Sequence, residues 1–274
     1  MKIMRFLAAI LAGLVLAAPA LAAKVELVIN GSTTVLPVMQ KAGEDFMAVN
    51  PDVTIALSGG GSGNGIKALT DGLCQIAMSS RDMKANETEL AKNKGVNPVR
   101  IPVAVDALVP IAHPSNNVAQ ISIAQLRDIY AGKITNWKEV GGADKKIAVI
   151  SRDTSSGTYE TWDEKIMHKE KVAPSALLQA SNGAVVQAVS KNPNAVGYIG
   201  FGYLDKSVKD LSIGTLKATP ANALSGQWPI ARELYVFTNG EPKDAVKTLI
   251  AYLLDPQKGQ KAVLEVGFIP LPKK

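Results

Sequence analysis

The sequence predicts an α/β fold with largely parallel sheets. Apolar runs of strand length recur along the 274-residue chain, and segments with helical patterns separate them. This alternation is typical of parallel strands that are joined by crossover helices. The predicted strands span residues 25–29, 53–57, 75–78, 99–105, 107–112, 147–150, 196–199 and 234–237.

Two helices have the clearest sequence signals. Ser122 and Gln125 form a capping-box pattern, which predicts a helix that begins at Ser122. A second helix is predicted in "PKDAVKTLIAYLLD", where apolar residues at i, i+3, i+4, i+7 and i+8 share one buried face. The residues of that face are Val246, Leu249, Ile250, Leu253 and Leu254.

The chain has no internal repeat and no low-complexity linker, so its division into domains has to follow from topology. The runs 99–105 and 107–112 are expected to be paired strands that meet at Asp106. A late strand, "RELYVFTN", precedes helical patterns that could return the chain to the first sheet. Asp106 is therefore the expected first crossing between two parts of the molecule.

Residues 1–23 are expected to be a secretory signal peptide. Lys2 and Arg5 precede an apolar core, and Pro19 and an A-x-A ending follow it. The alternative is a membrane anchor, because the apolar run is nearly long enough to span a bilayer, but the proline and the small residues favour cleavage. No cysteine stands at the cleavage site to carry a lipid. The expected location is outside the cytoplasm, which is the periplasm in a double-membraned bacterium.

Charge and composition argue against nucleic acid as a partner. Residues 1–23 hold two positive and no negative charges, so their removal lowers the formal net charge from +6 to +4. The lysines are scattered, and aromatic residues make up only 5% of the chain, so no basic-aromatic stripe is present. Cys74 is the only cysteine and is expected to be a small buried hydrophobe.

Three junctions between an apolar run and a helical segment are rich in glycine and hydroxyl residues: "INGSTTVLPVM", "ALSGGGSGNGIKAL" and "SRDTSSGTYETW". The second junction fits none of the familiar catalytic or nucleotide motifs. Ile66 stands where a P-loop needs lysine, and Asn64 stands where both the dinucleotide and the hydrolase-elbow patterns need glycine. His113 and His168 read as surface residues, and no closely spaced cluster of metal ligands is visible.

The three junctions instead indicate a site for a small anion. Glycines let backbone N–H groups converge, helix N-termini add partial positive charge, and hydroxyl groups add further donors. Arg81 and Arg152 stand beside such junctions, and a guanidinium can grip two oxygens of a tetrahedral anion. The alternative for any single junction is an ordinary helix cap or turn.

Seven segments together resemble the phosphate-binding protein of bacterial phosphate-specific ABC transporters, from about Val25 to the C-terminus. They are "GSTTVLP", "SGGGSGNGIKAL", "IAMSSRDM", "AGKITNWKEVGG", "SRDTSSGTYETW", "SNGAVVQAVSKNPNAVGYIGF" and "GQWPIARELYVFTN". The resemblance implies a type II periplasmic binding protein fold, in which two α/β lobes are joined by hinge strands and close on the ligand. The expected lobes are residues 24–105 with 230–274, and residues 106–229.

The resemblance also implies a set of phosphate ligands. They are Ser32, Thr33, Thr34, Ser62, Ser80 and Arg81 from the first lobe, and Arg152, Ser156, Gly157 and Thr158 from the second. Some family members have an aspartate after the third-motif serine that accepts the proton of hydrogen phosphate, but Arg81 follows Ser80 here. Asp82 and Asp106 are the candidates for the acceptor, and each has a capping or hinge-bonding role as its alternative. Asn182 and Gly183 are expected to cap a helix rather than to touch the ligand.

The function implied is a monomeric, non-enzymatic receptor that delivers inorganic phosphate to a membrane permease, with no cofactor. A receptor for sulfate, molybdate or another tetrahedral oxyanion is the alternative within the same class. A secreted phosphatase or esterase, and an adhesive or signalling protein on the same scaffold, are the alternatives from other classes.

Overall fold

A computed structural model describes residues 24–272, so the predicted signal peptide lies outside the described residues. The strands are β1 (Val25–Gly31), β2 (Val53–Gly59), β3 (Ile76–Ser79), β4 (Pro98–Ala112), β5 (Gln120–Ile121), β6 (Ala148–Arg152), β7 (Leu177–Gln179), β8 (Ala195–Gly200), β9 (Lys209–Asp210), β10 (Ser212–Ile213) and β11 (Ala231–Asn239). The helices are α1 (Leu36–Val49), α2 (Ser62–Thr70), α3 (Ala85–Asn93), α4 (Ile123–Tyr130), α5 (Gly157–Trp162), α6 (Asn182–Ser190), α7 (Pro220–Leu224), α8 (Asp244–Leu254) and α9 (Gly259–Glu265).

Most predicted elements are present, with one correction at Asp106. The runs 99–105 and 107–112 are not two paired strands, because β4 is one continuous strand that passes through Asp106. An aspartate is tolerated inside this buried strand because Arg232 lies directly opposite it on β11 and forms an ion pair with it. The capping box of Ser122 and Gln125 forms as predicted. On α8, Leu249, Ile250 and Leu253 are buried, but Leu254 is exposed.

One sheet path runs through the molecule in the order β2-β1-β3-β11-β4-β8-β6-β7. Strands β2, β1 and β3 are parallel, and so are β8, β6 and β7. Between these two parallel groups, β11 and β4 run antiparallel to each other and to their outer neighbours. Because β4 and β11 are the long central strands, they connect the two halves of the sheet.

The two halves have separate hydrophobic cores. The first core packs β1, β3 and α1 against the C-terminal helices α8 and α9, and includes Ile29, Met39, Phe46 and Leu249. The second core packs β6 and β8 against α4 to α6 and includes Trp137, Trp162 and Tyr198. We call the parts built on these cores the first and the second lobe. This is the predicted two-lobed α/β architecture, and the boundaries at 105/106 and 229/230 stay a prediction.

Within residues 24–272, no helix is both long and apolar enough to cross a bilayer.

Candidate anion-binding site

The first hydroxyl-rich junction connects β1 to α1. Ser32, Thr33 and Thr34 are each at most 5% exposed although they are polar. Ser32 Oγ accepts hydrogen bonds from the backbone N–H groups of Thr34 and Val35, at 3.1 and 3.4 Å. These contacts hold the turn ahead of the helix, so the three hydroxyl side chains lie at the helix N-terminus inside the molecule.

The glycine-rich junction between β2 and α2 brings Ser62 to the end of β3. Gly61 has a φ of +100°, and a Cβ there would lie 2.5 Å from Ser155 Oγ of the second lobe, so a side chain does not fit. Ser62 Oγ accepts from the backbone N–H of Ser80 at 3.0 Å and lies 3.3 Å from Ser80 Oγ. Two of the predicted ligands are thus in contact although they come from separate motifs.

The third junction connects β6 to α5 in the second lobe and faces the first lobe directly. Ser156 Oγ accepts from the backbone N–H of Tyr159 and caps α5. A Cβ on Gly157 would lie 2.6 Å from Ser80 Oγ and closer still to Ser62 Oγ. Gly157, one of the predicted ligands, therefore lies where the two lobes approach each other closely and not in an ordinary turn.

Two threonines meet across the lobes. Thr34 Oγ1 lies 2.9 Å from Thr158 Oγ1, and both side chains are 1% exposed. Asn182 Nδ2 donates to Thr33 Oγ1 and Thr34 Oγ1, at 3.2 and 3.0 Å. The expectation that Asn182 caps a helix is therefore wrong, because Ser181 caps α6 and frees the Asn182 side chain to reach the first lobe.

Arg152 ends β6 and is 1% exposed. Its Nε donates to the Gln179 carbonyl oxygen, and its Nη2 donates to the Ala180 carbonyl oxygen and to Thr33 Oγ1. Its Nη1 is buried and has no hydrogen-bond partner among the described residues. Burial lowers the Arg152 pKa from its ordinary value, because the charged form is held out of water.

Arg81 is also predicted as a ligand, and its guanidinium forms ion pairs with two carboxylates. Its Nη1 and Nη2 donate to the two Glu87 oxygens at 2.7 and 2.8 Å, and its Nε lies 2.7 Å from Glu160 Oε2. Lys84 Nζ lies 3.0 Å from the other Glu160 oxygen. Burial alone would lower the Arg81 pKa, but Glu87 and Glu160 outweigh it and raise the pKa. Arg81 thus connects the first lobe to Glu160 of the second.

The two candidate proton acceptors lie in different surroundings. Asp106 is fully buried and accepts from the backbone N–H of Phe201 at 2.9 Å and from Arg232 Nε and Nη2 at 3.0 and 2.8 Å. Burial raises the Asp106 pKa, and these donors oppose the rise. The Asp82 side chain is 55% exposed and pairs with Arg100. We call the buried hydroxyl side chains of Thr33, Thr34 and Thr158 the hydroxyl cluster, and the structure does not bring Asp82 to it.

Arg232 belongs to the cluster but is absent from the predicted set. It donates to Thr158 Oγ1 at 3.0 Å and to Thr34 Oγ1 at 3.4 Å, and its side chain is only 8% exposed. One signal in the sequence was available, because Arg232 interrupts a strand that otherwise carries apolar residues at alternate positions.

The site offers hydrogen-bond donors and few acceptors. The oxygen atoms of Ser32, Thr33 and Thr34 already accept hydrogen bonds from N–H groups, so each hydroxyl is a donor in its next hydrogen bond. The hydroxyl of Thr34 faces Thr158 Oγ1. Arg152 adds a free N–H group and a positive charge. Within residues 24–272, no three His, Cys, Asp or Glu side chains are grouped closely enough to hold a metal ion. The arrangement suits an anion with several acceptor oxygens.

Comparisons with known proteins agree with this architecture. A model of the PBP superfamily domain matches residues 17–257. The phosphate-binding protein PstS of Bacillus subtilis is 35% identical over 246 residues, which cover 89% of this chain and 80% of that protein. A structure described as a putative phosphate ABC transporter substrate-binding protein with bound phosphate, from Clostridium perfringens, has a TM-score of 0.83. It is 34% identical and covers 90% of this chain and 100% of its own.

An ABC-type phosphate transport receptor from Vibrio cholerae is also 34% identical, with a TM-score of 0.73, and covers 90% of this chain and 100% of its own. The family model and these relatives each extend over most of the chain, so they include both lobes and every junction described above. The chain therefore belongs to the PBP superfamily and, within it, to the family of the Bacillus subtilis phosphate-binding protein PstS.

Proposed function

We propose that the protein is an extracytoplasmic receptor that binds inorganic phosphate between its two lobes and delivers it to the permease of an ABC transporter. It acts as a monomer and catalyses no reaction. The relatives named above are phosphate-binding proteins or phosphate transport receptors, and this chain resembles them over nearly its whole length. A cleaved signal peptide in residues 1–23, without a lipid anchor, is part of the same proposal.

The buried Nη1 of Arg152, which has no hydrogen-bond partner within residues 24–272, is the observation that carries the proposal. A buried guanidinium N–H without an acceptor costs free energy, so the fold keeps it for a partner from outside the protein. Its neighbour Nη2 already contacts Thr33, whose own hydroxyl belongs to the helix N-terminus of the first lobe. A tetrahedral oxyanion that contacts Nη1 can therefore also accept from the hydroxyl groups.

The contacts of the serines favour a receptor over a phosphatase or esterase. Ser62 contacts Ser80, and Ser156 accepts from the N–H of Tyr159. In the described part of the chain, neither hydroxyl is hydrogen-bonded to a histidine or a carboxylate that would activate it. His113 is bonded to Ser115 in its own turn. The remaining alternative within the receptor class is another tetrahedral oxyanion.

Phosphate differs from sulfate because hydrogen phosphate carries a proton that needs an acceptor. Of the two candidate acids, we favour Asp106, because it is buried and contacts Arg232, which in turn contacts Thr34 and Thr158. A site with a buried acceptor rejects sulfate, which would place a negative oxygen against the carboxylate.

Calorimetric titration of the mature protein tests the proposal. The protein is first unfolded, dialysed free of bound anion and refolded, and is then titrated with phosphate, arsenate, sulfate and molybdate. We expect one site per chain that binds phosphate at least about a hundredfold more tightly than sulfate. Equal or tighter binding of sulfate or molybdate, or hydrolysis of a chromogenic phosphate ester at a rate that scales with protein concentration, would overturn it.

A further inference from the structure

Arg232 occupies a special position in the sheet. It lies on β11 directly opposite Asp106 on β4, and these are the two strands that connect the lobes. The Arg232 and Asp106 side chains are 8% and 0% exposed. A buried ion pair is a weak source of stability, because desolvation offsets most of its attraction, so its retention here calls for another explanation.

The contacts of Arg232 reach both lobes. Nε and Nη2 donate to Asp106 Oδ2, and Nη1 donates to the Gly157 carbonyl oxygen and to Thr161 Oγ1, each at 3.2 Å. Nη2 also donates to Thr158 Oγ1 of the second lobe and to Thr34 Oγ1 of the first. Every nitrogen of the guanidinium therefore has an acceptor within the protein, so Arg232 orients other groups rather than contacting the anion itself.

These contacts set the direction in which the threonine hydroxyls donate. Guanidinium and amide N–H groups can only donate, so Thr34 Oγ1 accepts from Arg232 and Asn182. Its proton is then directed to Thr158 Oγ1, at 2.9 Å. Because Thr158 Oγ1 accepts from both Arg232 and Thr34, its own proton is left to donate to a ligand.

We infer that Arg232 is a positioning residue that fixes Thr34 and Thr158 as donors and thereby makes the site prefer the more ionised form of phosphate. The inference rests on the proposed phosphate binding. A hydroxyl that is free to accept can receive the proton of a P–OH group, whereas one that is fixed as a donor offers that proton no acceptor and bonds more strongly to an unprotonated, more negative oxygen. The other charged or titratable groups that face Arg232 are Asp106, Arg152 and Tyr198.

The test is a charge-neutral double variant, Arg232→Met with Asp106→Asn, which removes the ion pair but keeps an acceptor for the N–H of Phe201. Because Asp106 is the proposed proton acceptor, Asp106→Asn alone is the reference, and the difference between these two variants gives the effect of Arg232. The matched control is Arg100→Met with Glu233→Gln. These two side chains are exposed, and they lie on β4 and β11, the strands that carry Asp106 and Arg232. Phosphate affinity is measured by calorimetry at about pH 5.5 and about pH 8.5, on either side of the second ionisation of a phosphate group. Thermal unfolding checks that each variant is folded.

We expect the double variant to bind phosphate at least about tenfold more weakly than Asp106→Asn at the higher pH, with a distinctly smaller difference at the lower pH, while the control matches the parent at both. Arg232→Lys, which retains the charge, should show an intermediate loss with the same trend, and it serves if the double variant does not fold. An equal loss at both pH values, or no loss, overturns the inference and leaves phosphate binding intact. If the parent binds no phosphate at either pH, the proposed function itself fails.

Discussion

Thr34 Oγ1 and Thr158 Oγ1 lie 2.9 Å apart although 124 residues separate them in the chain. The first belongs to the turn that precedes α1, and the second lies in the first turn of α5. Since these helices pack on different cores, the contact exists only when the two lobes are brought together. The candidate site therefore needs both lobes and is complete in neither lobe alone.

Replacing Arg152 by Lys should weaken phosphate binding by at least about tenfold, or ~1.4 kcal/mol. A lysine cannot hold the Gln179 and Ala180 carbonyl oxygens and still present a second planar N–H group to the anion. Calorimetry measures the change, and Arg100→Lys, at a half-exposed position on β4, is the control. Unchanged affinity in Arg152→Lys would remove Arg152 from the site.

Gly157→Ala should hinder the close approach of the two lobes. The added Cβ meets the hydroxyl oxygens of Ser62 and Ser80, so closure requires these side chains to move. We expect a loss of phosphate affinity of at least about tenfold with little change in melting temperature. Gly183→Ala, also in the first turn of a helix, is the control, because its Cβ would meet no atom closer than 3.9 Å. Equal behaviour of the two variants would contradict the close approach seen at Gly157.

Ligand-dependent closure should be visible by small-angle X-ray scattering. A dehydrated anion needs a partner for every oxygen, so binding favours the arrangement that brings donors from both lobes together. The radius of gyration should decrease when phosphate is added to the parent. Arg152→Ala should abolish this decrease at phosphate concentrations that saturate the parent. Compaction that persists undiminished in the variant, or that is absent from the parent, would exclude closure of the two lobes on the phosphate.

Glu160 should contribute modestly to closure. It is the second-lobe partner of Arg81 and Lys84, and its side chain is 16% exposed, so water weakens the contact only in part. Glu160→Gln should lower phosphate affinity by a few-fold, which corresponds to about 1 kcal/mol or less. Glu164→Gln should leave affinity unchanged, because the Glu164 side chain is 61% exposed and, among the residues that the structure describes, pairs only with its neighbour Lys165. A loss in Glu160→Gln as large as that in Arg152→Lys would show that the ion pair has a greater role than this.

The alternation of strands and helices could be predicted from the sequence, because apolar runs and helix caps are local signals. The sequence also predicts that the three glycine- and hydroxyl-rich junctions form an anion site. It could not predict which side chains of these junctions are in contact. The sequence predicts the end of a strand at Asp106, because its partner Arg232 is 126 residues away and only the fold places the two side by side. The sequence predicts Asn182 as a cap, because the choice between Ser181 and Asn182 depends on which side chain has a tertiary partner.

Arg81 stays a predicted ligand, but its ion pairs could not be predicted from the sequence. An arginine next to a hydroxyl-rich turn has the right chemistry for an anion, and this supported the prediction. Its actual contacts include Glu87 at the start of α3 and Glu160 on α5. A carboxylate from another part of the chain can neutralise a candidate ligand, and no local pattern reveals it.

The position of β11 in the sheet determines the order in which the chain can fold. This strand lies between β3 and β4, so the sheet of the first lobe lacks an interior strand until residues 231–239 have been synthesised. The second lobe is built mainly from one continuous stretch of chain and can form its contacts earlier. Contacts between distant segments form slowly because a long loop must close first. The lobe that begins at the N-terminus is therefore expected to be the last to be completed, and a nascent chain that ends before β11 to have a formed second lobe beside an unfinished first one.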